Sequence, residues 1–582
     1  MASLMASPPC VSFLKLESHN HFVKSFAVIL VFLLLNVSSF HSYASPTTSA
    51  TSMMVEQAKA LLEWKSSLSN QAKSILPSWG QSVPSNYNVT ISSSLFNPCN
   101  WTGIACNING SITKISLPNM GLKGTLLNFS FSSFLGLSHL NLSNNSLFGT
   151  IPSHTSELPK LAYLDLSINQ FSGGIPQEIS FLETLQILYL HQNHLNGSIP
   201  ASLGNLSNMT VLYLYQNHLS GPIPPEIENL TNLQDLNLST NHLTGSIPSA
   251  LENLTKLTSL DLSNNSLSGF IPAFLCSLSN LTRLFLNRNE LSGPIPQQIE
   301  NLKNLVRLKL SNNHLSGSVP HELGNLTKLV SVHLYLNNFS GHFPPHICKG
   351  GLLRRFIVHT NHFGGPIPES LRNCRSLVRV RLENNQFSSN VSEAFGVYPN
   401  LDYIDVSHNK LYGELSQNWG DCSSLTDLRM SANKITGRIP SGFGRLTHLG
   451  ILDLSSNHLE GEIPKEIGKM VSLNNLSLEN NQLSGRLPVQ IEMLSKLQRL
   501  DLSNNLLSGP IPEQIGNCVE LIYLNLKRNR FSENIPFQIG NLVHLQYLLD
   551  LCENNITGEI PSQLGHLTSL ENLNLSHNKF LV

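Results

Sequence analysis

One asparagine recurs every 24 residues through most of this 582-residue chain. The column runs from Asn145 to Asn529, with 17 members and no gap, and one residue inserted near Leu549 then moves it to Asn554 and Asn578. Each asparagine lies within the pattern L-x-x-L-x-L-x-x-N-x-L-x-G-x-I-P, as in residues 161–176. A fixed period of this length predicts a solenoid, in which each repeat packs only against its neighbours.

The leucine spacing within each repeat predicts a short strand. In the segment x-L-x-L-x the leucines alternate with other residues, so they would point into the core while the residues between them face outward. Strands of successive repeats would stack as a parallel sheet about 4.8 Å apart. The asparagine would satisfy buried backbone groups in the turn that follows, because an amide both donates and accepts hydrogen bonds. We assign it a structural role and no catalytic one.

The L-x-G-x-I-P segment resembles the plant-specific class of leucine-rich repeats. This resemblance implies an α/β solenoid, a right-handed twisted superhelix with a parallel β-sheet on the concave face. It also implies short 3-10 or irregular segments on the convex face and a second small sheet on the flank. Residues 111–582 would hold about 19–20 repeats of 24 residues, the last one truncated. With no closing cysteine pair, membrane helix or kinase motif at that end, we expect a truncated receptor or a gene model cut short.

The first 44 residues are typical of a secretory signal. An apolar run at residues 26–35 follows Lys24 and is too short to span a bilayer comfortably. The small residues Ser42 and Ala44, on either side of Tyr43, would allow cleavage near Ala44. An uncleaved membrane anchor is the alternative.

Residues 45–110 differ from the repeats and resemble the N-terminal cap of plant leucine-rich-repeat receptors. Cys99 and Cys106 flank Trp101 in a chain that we expect to be secreted, which predicts a disulfide between them. The cap would cover the core of the first repeat. An amphipathic helix is predicted from Glu56, Ala60, Leu61, Leu62, Trp64, Lys65 and Leu68.

Composition excludes several classes of function. The 36 Lys and Arg residues balance 37 acidic residues, so no global field favours nucleic acid or a membrane surface. After residue 44 the chain holds 20 Asn-x-Ser/Thr sequons, which predict N-linked glycans. No spacing of side chains indicates a metal site or a cofactor. No nucleophile–base set or phosphate loop indicates an enzyme.

The cysteines beyond the cap have open pairings. Three of them occupy the slot that leucine fills in most repeats, and we interpret them as buried thiols. Cys348 lies two residues earlier in its repeat, in the slot that Cys276 also occupies, and a disulfide from Cys348 to Cys374 is the alternative. Cys552 stands where most repeats have serine, and we expect it at the surface. The three leucine-slot cysteines are Cys374, Cys422 and Cys518.

Function in a solenoid usually depends on outward strand residues of the concave face. Most repeats carry a generic Asp-Leu-Ser there, and two stretches depart from it. In the second stretch four arginines share one column with Ser331 in the middle, and like charges about 5 Å apart repel one another unless an anion is near. The first stretch is Tyr189, His191, Tyr213 and Tyr215, followed by the polar residues Asp235, Asn237 and Asp261. The second is Arg283, Phe285, Arg307, Lys309, His333, Tyr335, Arg355, His359, Arg379 and Arg381.

A groove for an extended peptide would account for both stretches. Aromatic side chains supply contact area, and arginines bind carboxylates through paired hydrogen bonds. Arg379-Val380-Arg381 resembles the R-x-R motif that plant peptide receptors use for a peptide's C-terminal carboxylate. Glu383 is one internal partner for these arginines. The alternative is an ordinary solvated charged face.

An irregular repeat gives a closer resemblance. The segment Ile347-Cys348-Lys349-Gly350-Gly351, followed by Asn373-Cys374, resembles plant male-discoverer-interacting receptor-like kinases. The resemblance implies a secreted peptide ligand, a short leucine-rich-repeat co-receptor kinase and a place on the extracellular side of the plasma membrane. This chain matches only the ectodomain, so the family's kinase activity is not carried over. The chain would be secreted if the truncation is real.

Two other interpretations stay open. Plant leucine-rich-repeat proteins that inhibit fungal pectin-degrading enzymes are similar, although they have fewer repeats and a C-terminal cysteine cap. A non-signalling decoy is the other, because the chain lacks the signalling parts. Binding to a pectinase rather than to a peptide would favour the inhibitor.

Overall fold

The computed structural model describes residues 46–80 and 97–581, so the predicted signal at residues 1–44 lies outside the described residues. Two α-helices, Pro46–Ser67 and Asn70–Ile75, open the described part, and a stack of repeats follows them. In residues 46–80 and 97–581, no helix combines the length and apolar character needed to cross a bilayer.

The helix Pro46–Ser67 packs on the first repeats. Trp64 is fully buried, and its indole Nε1 donates to the Thr125 carbonyl at 3.0 Å. Gln57 is also buried, and its Oε1 accepts a hydrogen bond from the Ile112 amide at 3.0 Å. Burial of apolar side chains at this end keeps the core of the first repeat out of water.

A 21-stranded sheet forms the concave face, as the leucine alternation predicts. Neighbouring strands pair in parallel with a shift of one repeat, so that Leu212 lies beside Leu236, and both leucines are buried. The first two strands are antiparallel to each other. The strands are Ile104–Cys106, Ile112–Ser116, His139–Asn141, Tyr163–Asp165, Ile187–Tyr189, Val211–Tyr213, Asp235–Asn237, Ser259–Asp261, Arg283–Phe285, Arg307–Lys309, Ser331–His333, Arg355–Ile357, Arg379–Arg381, Tyr403–Asp405, Asp427–Arg429, Ile451–Asp453, Asn475–Ser477, Arg499–Asp501, Tyr523–Asn525, Leu548–Asp550 and Leu573–Asn574.

The flank carries two smaller parallel sheets where the sequence predicts one. The first has twelve strands: Lys123–Gly124, Ser146–Gly149, Gln170–Gly173, His194–Gly197, His218–Gly221, His242–Ser246, Ser266–Phe270, Glu290–Gly293, His314–Gly317, Asn338–His342, His362–Gly365 and Gln386–Phe387. The second has seven: Tyr412–Glu414, Lys434–Gly437, His458–Glu462, Gln482–Gly485, Leu506–Pro510, Arg530–Glu533 and Asn555–Ile556.

The break between the flank sheets coincides with a local change in the backbone. Most repeats place glycine with a positive φ in the flank strand, as at Gly365 (68°) and Gly413 (86°), and Glu533 also reaches 66° in that slot, whereas Ser389 at the break does not adopt a positive φ. Serine rarely adopts such a backbone. The chain instead forms the short helix Val391–Ala394, whose N-cap Asn390 accepts a hydrogen bond from the Ser392 amide.

Short 3-10 segments on the convex face follow most of the Ile-Pro positions, as the resemblance implies. After the cap they recur once per repeat except at residues 345–350, which form a turn, and at the flank break, where the helix Val391–Ala394 takes their place. They are Pro98–Asn100, Phe131–Phe134, Ser153–Glu157, Gln177–Phe181, Ala201–Asn205, Pro225–Asn229, Ser249–Asn253, Ala273–Ser277, Gln297–Asn301, His321–Asn325, Glu369–Leu371, Gln417–Asp421, Ser441–Arg445, Lys465–Lys469, Val489–Met493, Glu513–Asn517, Phe537–Asn541 and Ser562–His566.

The asparagine column satisfies backbone groups of two repeats at once. Asn193 donates from Nδ2 to the Leu166 carbonyl of the preceding repeat at 3.0 Å and to the Leu190 carbonyl of its own repeat at 3.1 Å. Its Oδ1 accepts a hydrogen bond from the Phe171 amide at 3.0 Å. The same contacts recur as far as Asn578. The column therefore joins each repeat to the one before it.

The residue before each asparagine adopts a left-handed backbone, which the sequence signals only where that residue is itself asparagine, as at Asn144 and Asn264. The φ angle is 54° at Ile168, 55° at Thr240 and 54° at Thr360. This conformation is costly for β-branched residues, which would normally avoid it. The asparagine contacts and the stacked neighbours therefore impose it.

Disulfides join Cys99 to Cys106 and Cys348 to Cys374. The interpretation of Cys374 as a buried thiol is wrong, because residues 345–350 form a turn that brings the Cα atoms of Cys348 and Cys374 to 6.0 Å. The expectation that Cys552 is exposed is also wrong. It is buried because its slot is itself buried in most repeats. The buried free thiols are Cys276, Cys422, Cys518 and Cys552.

Candidate ligand-binding site

Three rows of side chains line the concave face from the strand Tyr163–Asp165 onward. Row 1 is the first residue of each strand, row 2 is the third, and row 3 lies two positions further on. All 17 candidate ligand-binding residues lie in these rows. Row 1 holds Asp235, Arg283, Arg307, Arg355 and Arg379. Row 2 holds Tyr189, Tyr213, Asn237, Asp261, Phe285, Lys309, His333 and Arg381, and row 3 holds His191, Tyr215, Tyr335 and His359.

The generic Asp-Leu-Ser motif has a structural role. Asp165 Oδ1 accepts hydrogen bonds from the amide of Ser167 at 3.0 Å and from its hydroxyl at 2.6 Å. Asp261 makes the same two contacts with Ser263, and Asn237 makes them with the serine two residues on. In Asp261 and Asn237, the Oδ1 atom therefore already accepts hydrogen bonds from the serine two residues further along. This weakens the case for these two residues as ligand contacts.

The aromatic stretch forms a stacked cluster. The rings of Tyr189 and Tyr213 stack with centroids 5.0 Å apart, and those of His191 and Tyr215 stack at 4.3 Å. Burial raises the pKa of Tyr189, Tyr213 and Tyr215, so their hydroxyls remain protonated hydrogen-bond donors. Burial also lowers the pKa of His191, which leaves its ring neutral. The cluster offers a largely apolar surface with polar tips.

Sequence reasoning missed two members of this cluster. His139 stacks on Tyr163 with centroids 4.1 Å apart, and Tyr163 meets Tyr189 edge-on at 5.8 Å. Both missed residues lie on the two preceding concave strands. A search for aromatic residues in rows 1 and 2 of neighbouring repeats together, and not in one row at a time, would have found them.

The basic stretch begins with a neutralised arginine. Arg283 Nη2 lies 3.2 Å from Asp235 Oδ2, two strands away. The Lys309 ammonium lies 4.3 Å from the centroid of the Phe285 ring, a cation–π contact. Arg307 and Arg355 are exposed. Across residues 46–80 and 97–581, no carboxylate lies within ion-pair distance of Arg307, Lys309, Arg355 or Arg379.

The two arginines of the R-x-R motif have different surroundings. The Arg379 guanidinium lies 3.9 Å from the centroid of the Tyr403 ring. Arg381 Nη2 donates to Glu383 Oε1, and the Glu383 side chain is only 6% exposed. Arg381 is thus committed to an internal ion pair, while Arg379 keeps its hydrogen-bonding edge free of carboxylate partners.

Two neutral histidines lie beneath these charges. Burial, with Arg381 next in importance, lowers the pKa of His359 to about 4. The 3.7 Å contact between His359 Nδ1 and Glu383 is therefore not an ion pair at neutral pH. Burial, together with Lys309, likewise lowers the pKa of His333 to about 4. The positive charge of this stretch therefore resides on its lysine and arginine side chains.

The later repeats carry charges that the sequence argument passed over. Arg429 lies 3.0 Å from Asp427, and Arg499 lies 3.5 Å from Asp501. Burial raises the pKa of Glu479 to about 7, and the nearby charge of Asp501 adds to the shift. These side chains occupy the same rows as the basic stretch, but acidic groups dominate.

Comparison with known protein families decides the identity of the fold. A leucine-rich repeat region model matches residues 116–244 and 236–443, a leucine-rich repeat model matches 423–483, and a leucine-rich repeat N-terminal domain model matches 55–107. A single-repeat model matches 496–518, 520–542 and 547–567. The chain belongs to the leucine-rich-repeat family.

Its relatives are plant receptor kinases. The Arabidopsis thaliana MDIS1-interacting receptor like kinase 2 is 40% identical over 113 residues, which are 19% of this chain and 10% of that protein. The resemblance to the male-discoverer-interacting family is thereby confirmed. The aligned part spans only about a tenth of that relative's length.

Solved structures of receptor ectodomains match almost end to end. The Arabidopsis receptor kinase HAESA, in complex with the peptide hormone IDA and the co-receptor SERK1, is 32% identical with a TM-score of 0.73, covering 90% of this chain and 94% of that one. The plant peptide hormone receptor RGFR1, in complex with RGF2, is 34% identical with a TM-score of 0.66, covering 83% and 92%. These matches confirm the predicted fold and support a ligand-binding receptor ectodomain.

Proposed function

We propose that this chain is the extracellular, peptide-sensing part of a plant leucine-rich-repeat receptor. An extended secreted peptide would lie along the concave face, across the aromatic stretch and the basic stretch. The observation that carries the proposal is a set of cations with no carboxylate within ion-pair distance in residues 46–80 and 97–581, together with a stacked aromatic cluster on the same face. These cations are Arg307, Lys309, Arg355 and Arg379. HAESA and RGFR1, whose ectodomains this fold resembles, are in complex with peptides.

Within this groove, Arg379 is the better candidate for the peptide's C-terminal carboxylate. Arg381 already donates to Glu383, so binding a ligand through Arg381 would require that pair to open. Arg379 lies over Tyr403, which orients the guanidinium without neutralising its charge. The structure therefore favours an unequal R-x-R motif, with Arg379 in contact with the ligand and Arg381 holding Glu383.

The partners follow from the same proposal. A short leucine-rich-repeat co-receptor kinase would join the peptide-bound ectodomain, as SERK1 does in the HAESA complex. N-linked glycans would cover part of the surface. In the full-length form, signalling would pass through a membrane helix to a kinase. This ectodomain would lie on the extracellular side of that membrane.

The test is capture of plant secreted peptides on the full chain, produced through a secretory pathway with its glycans, and identified by mass spectrometry. Arg379→Ala is compared with Arg499→Ala. Arg499 is a matched control because it also lies over a tyrosine, Tyr523, at 3.6 Å, but has the acidic neighbour Asp501. We expect saturable capture that is lost in Arg379→Ala and kept in Arg499→Ala.

Two other results would count against the proposal in different ways. Capture that is equal in both variants would remove Arg379 from the site while keeping the receptor. No capture by a chain with an intact circular dichroism spectrum would contradict peptide sensing, and binding to a fungal pectin-degrading enzyme would then identify an inhibitor.

A further inference from the structure

The arginine row of the concave face contains one gap. The strand pairing places Arg307 beside Ser331 and Ser331 beside Arg355 in row 1. Both arginines are exposed, whereas Ser331 is only 5% exposed. Since strands are about 4.8 Å apart, the Cα atoms of the two arginines are separated by roughly 10 Å. The short serine side chain therefore lies below two long cationic side chains, and we call this position between them the Ser331 recess.

The floor of the Ser331 recess is polar and uncharged. The Ser331 hydroxyl lies 3.0 Å from His333 Nε2, and this hydrogen bond fixes both side chains. His333 is neutral at neutral and mildly acidic pH because burial lowers its pKa to about 4. Lys309 and Arg355 also lower that pKa, so their charges are close to the floor. The recess thus combines a neutral hydroxyl–imidazole floor with positive charge around it.

The arginines of rows 1 and 2 differ in whether they have an acidic partner. Arg283 in row 1 is paired with Asp235, and Arg381 in row 2 is paired with Glu383. Across residues 46–80 and 97–581, Arg307, Lys309 and Arg355 have no carboxylate within ion-pair distance. Arg307 and Lys309 share one strand and Arg355 lies two strands away, so their like charges repel one another over this short distance unless an anion lies between them.

We propose that the Ser331 recess binds the side-chain carboxylate of an acidic residue inside the peptide ligand. This inference rests on the proposed peptide-binding function and specifies part of the ligand. Arg307 and Arg355 would each donate to the carboxylate, and the Ser331 hydroxyl would reach it from below. An apolar side chain would leave two guanidinium groups desolvated without a partner, and a basic side chain would be repelled.

The recess is separate from the proposed site for the peptide's C-terminal carboxylate. Arg379 lies on the strand beyond Arg355, over Tyr403, and two strands away from Ser331. A peptide running along the rows would therefore place an acidic side chain about two strands, or roughly 10 Å, before its end. The two subsites can be tested independently, because amidation of the peptide removes only the terminal carboxylate.

The experiment selects a random library of C-amidated dodecapeptides on the full glycosylated chain and sequences the retained peptides. The variants are Ser331→Leu, which fills the recess and keeps both arginines, and the double variant Arg307→Gln with Arg355→Gln. Arg499→Gln is the matched control, since that arginine also lies in row 1 but is outside the proposed groove and is paired with Asp501. Circular dichroism and melting temperature report whether each variant folds.

With the unmodified chain, we expect Asp or Glu to be enriched about tenfold over Asn and Gln at one interior position, the size expected for loss of a charge-assisted hydrogen bond. The enrichment should disappear in both recess variants and persist in Arg499→Gln. Selected peptides without acidic enrichment, or enrichment unchanged in folded recess variants, would overturn the recess while leaving the receptor proposal intact. A free-acid library processed in parallel separates the two proposals, because failure to retain any peptide from either library contradicts peptide binding itself.

Discussion

Two stretches of the concave face use the same rows for opposite purposes. In the later repeats, from Tyr403 onward, both arginines of rows 1 and 2 lie against carboxylates, Arg429 against Asp427 and Arg499 against Asp501. In the central repeats, Arg307 and Arg355 lie in the same rows without such partners. The arginines of the later repeats are thus neutralised locally. The central arginines depart from that pattern, and the proposed peptide site includes them.

The backbone scaffold, in contrast, is the same in both stretches. The central Asn361 and the later Asn505 are each 6% exposed and make equivalent contacts with carbonyl groups of two repeats. If only the surface differs, Asn361→Ala and Asn505→Ala should destabilise the chain equally, by about 2–4 kcal/mol, since each leaves several buried groups unpaired. Chemical denaturation of both variants measures this. Unequal losses would show that the central repeats differ in their framework too.

The central and later stretches also differ in the state of the cysteine that replaces leucine in one repeat position. Cys374 forms a disulfide with Cys348, whereas Cys518 occupies the same slot as a free buried thiol. Replacing both Cys348 and Cys374 by Ser should cost about 2–4 kcal/mol, because the unfolded chain regains the entropy of an open loop. Cys518→Leu should change stability by less than about 1 kcal/mol, because leucine fills that slot in most repeats. Thermal unfolding of the two variants, with and without reductant, checks the contrast.

Removing an arginine should have effects of opposite sign in the two stretches. Arg499→Ala leaves the buried carboxylate of Asp501 without its nearest cation, and we expect a loss of about 0.5–1 kcal/mol, reduced by the 41% exposure of the arginine. Arg355→Ala removes a like-charge neighbour of Arg379, so stability should stay unchanged or rise slightly. Melting temperatures at low and high salt measure both effects. A clear loss in Arg355→Ala would mean that this charge has an internal partner after all.

The last difference between the stretches lies in the response to pH. His333 and His359 have folded-state pKa values of about 4, below the ordinary 6.5, so the unfolded chain binds protons first and stability falls as the pH drops from 6.5 toward 4. Glu479 has a pKa of about 7, above the ordinary 4.5. Its contribution to the stability of the folded chain is therefore fully present below pH 4.5 and is lost as the pH rises through 7.

The pH response is tested by melting temperature between pH 4 and 7.5. The variant with His333→Gln and His359→Gln should lose part of the decline at low pH. Glu479→Gln should lose part of the decline toward neutral pH. Profiles that match the unmodified chain in both variants would contradict the assigned burial of these three groups.

The fold was predictable to a large extent, because the repeat itself carries the physics. The Leu and Asn positions that recur with the 24-residue period specify the buried strand residues and the hydrogen bonds between repeats, and both are as expected. The left-handed turn at Ile168 was not predictable, since no glycine marks it. The break in the flank sheet coincides with Ser389 in a slot where most repeats have glycine, but Glu533 fills the same slot without a break, so only the strand pairing shows it.

For the candidate site, the sequence by itself determined which side chains line the concave face, because a strict period assigns each residue to a row. Tertiary structure decided which of them are available to a ligand. Arg283 and Arg381 belong to the same sequence pattern as Arg307 and Arg355, yet the first two meet Asp235 and Glu383, which depends on rotamers and neighbouring strands. Pairing across rows and repeats is a contact between side chains, and the position of a residue within its period does not specify it.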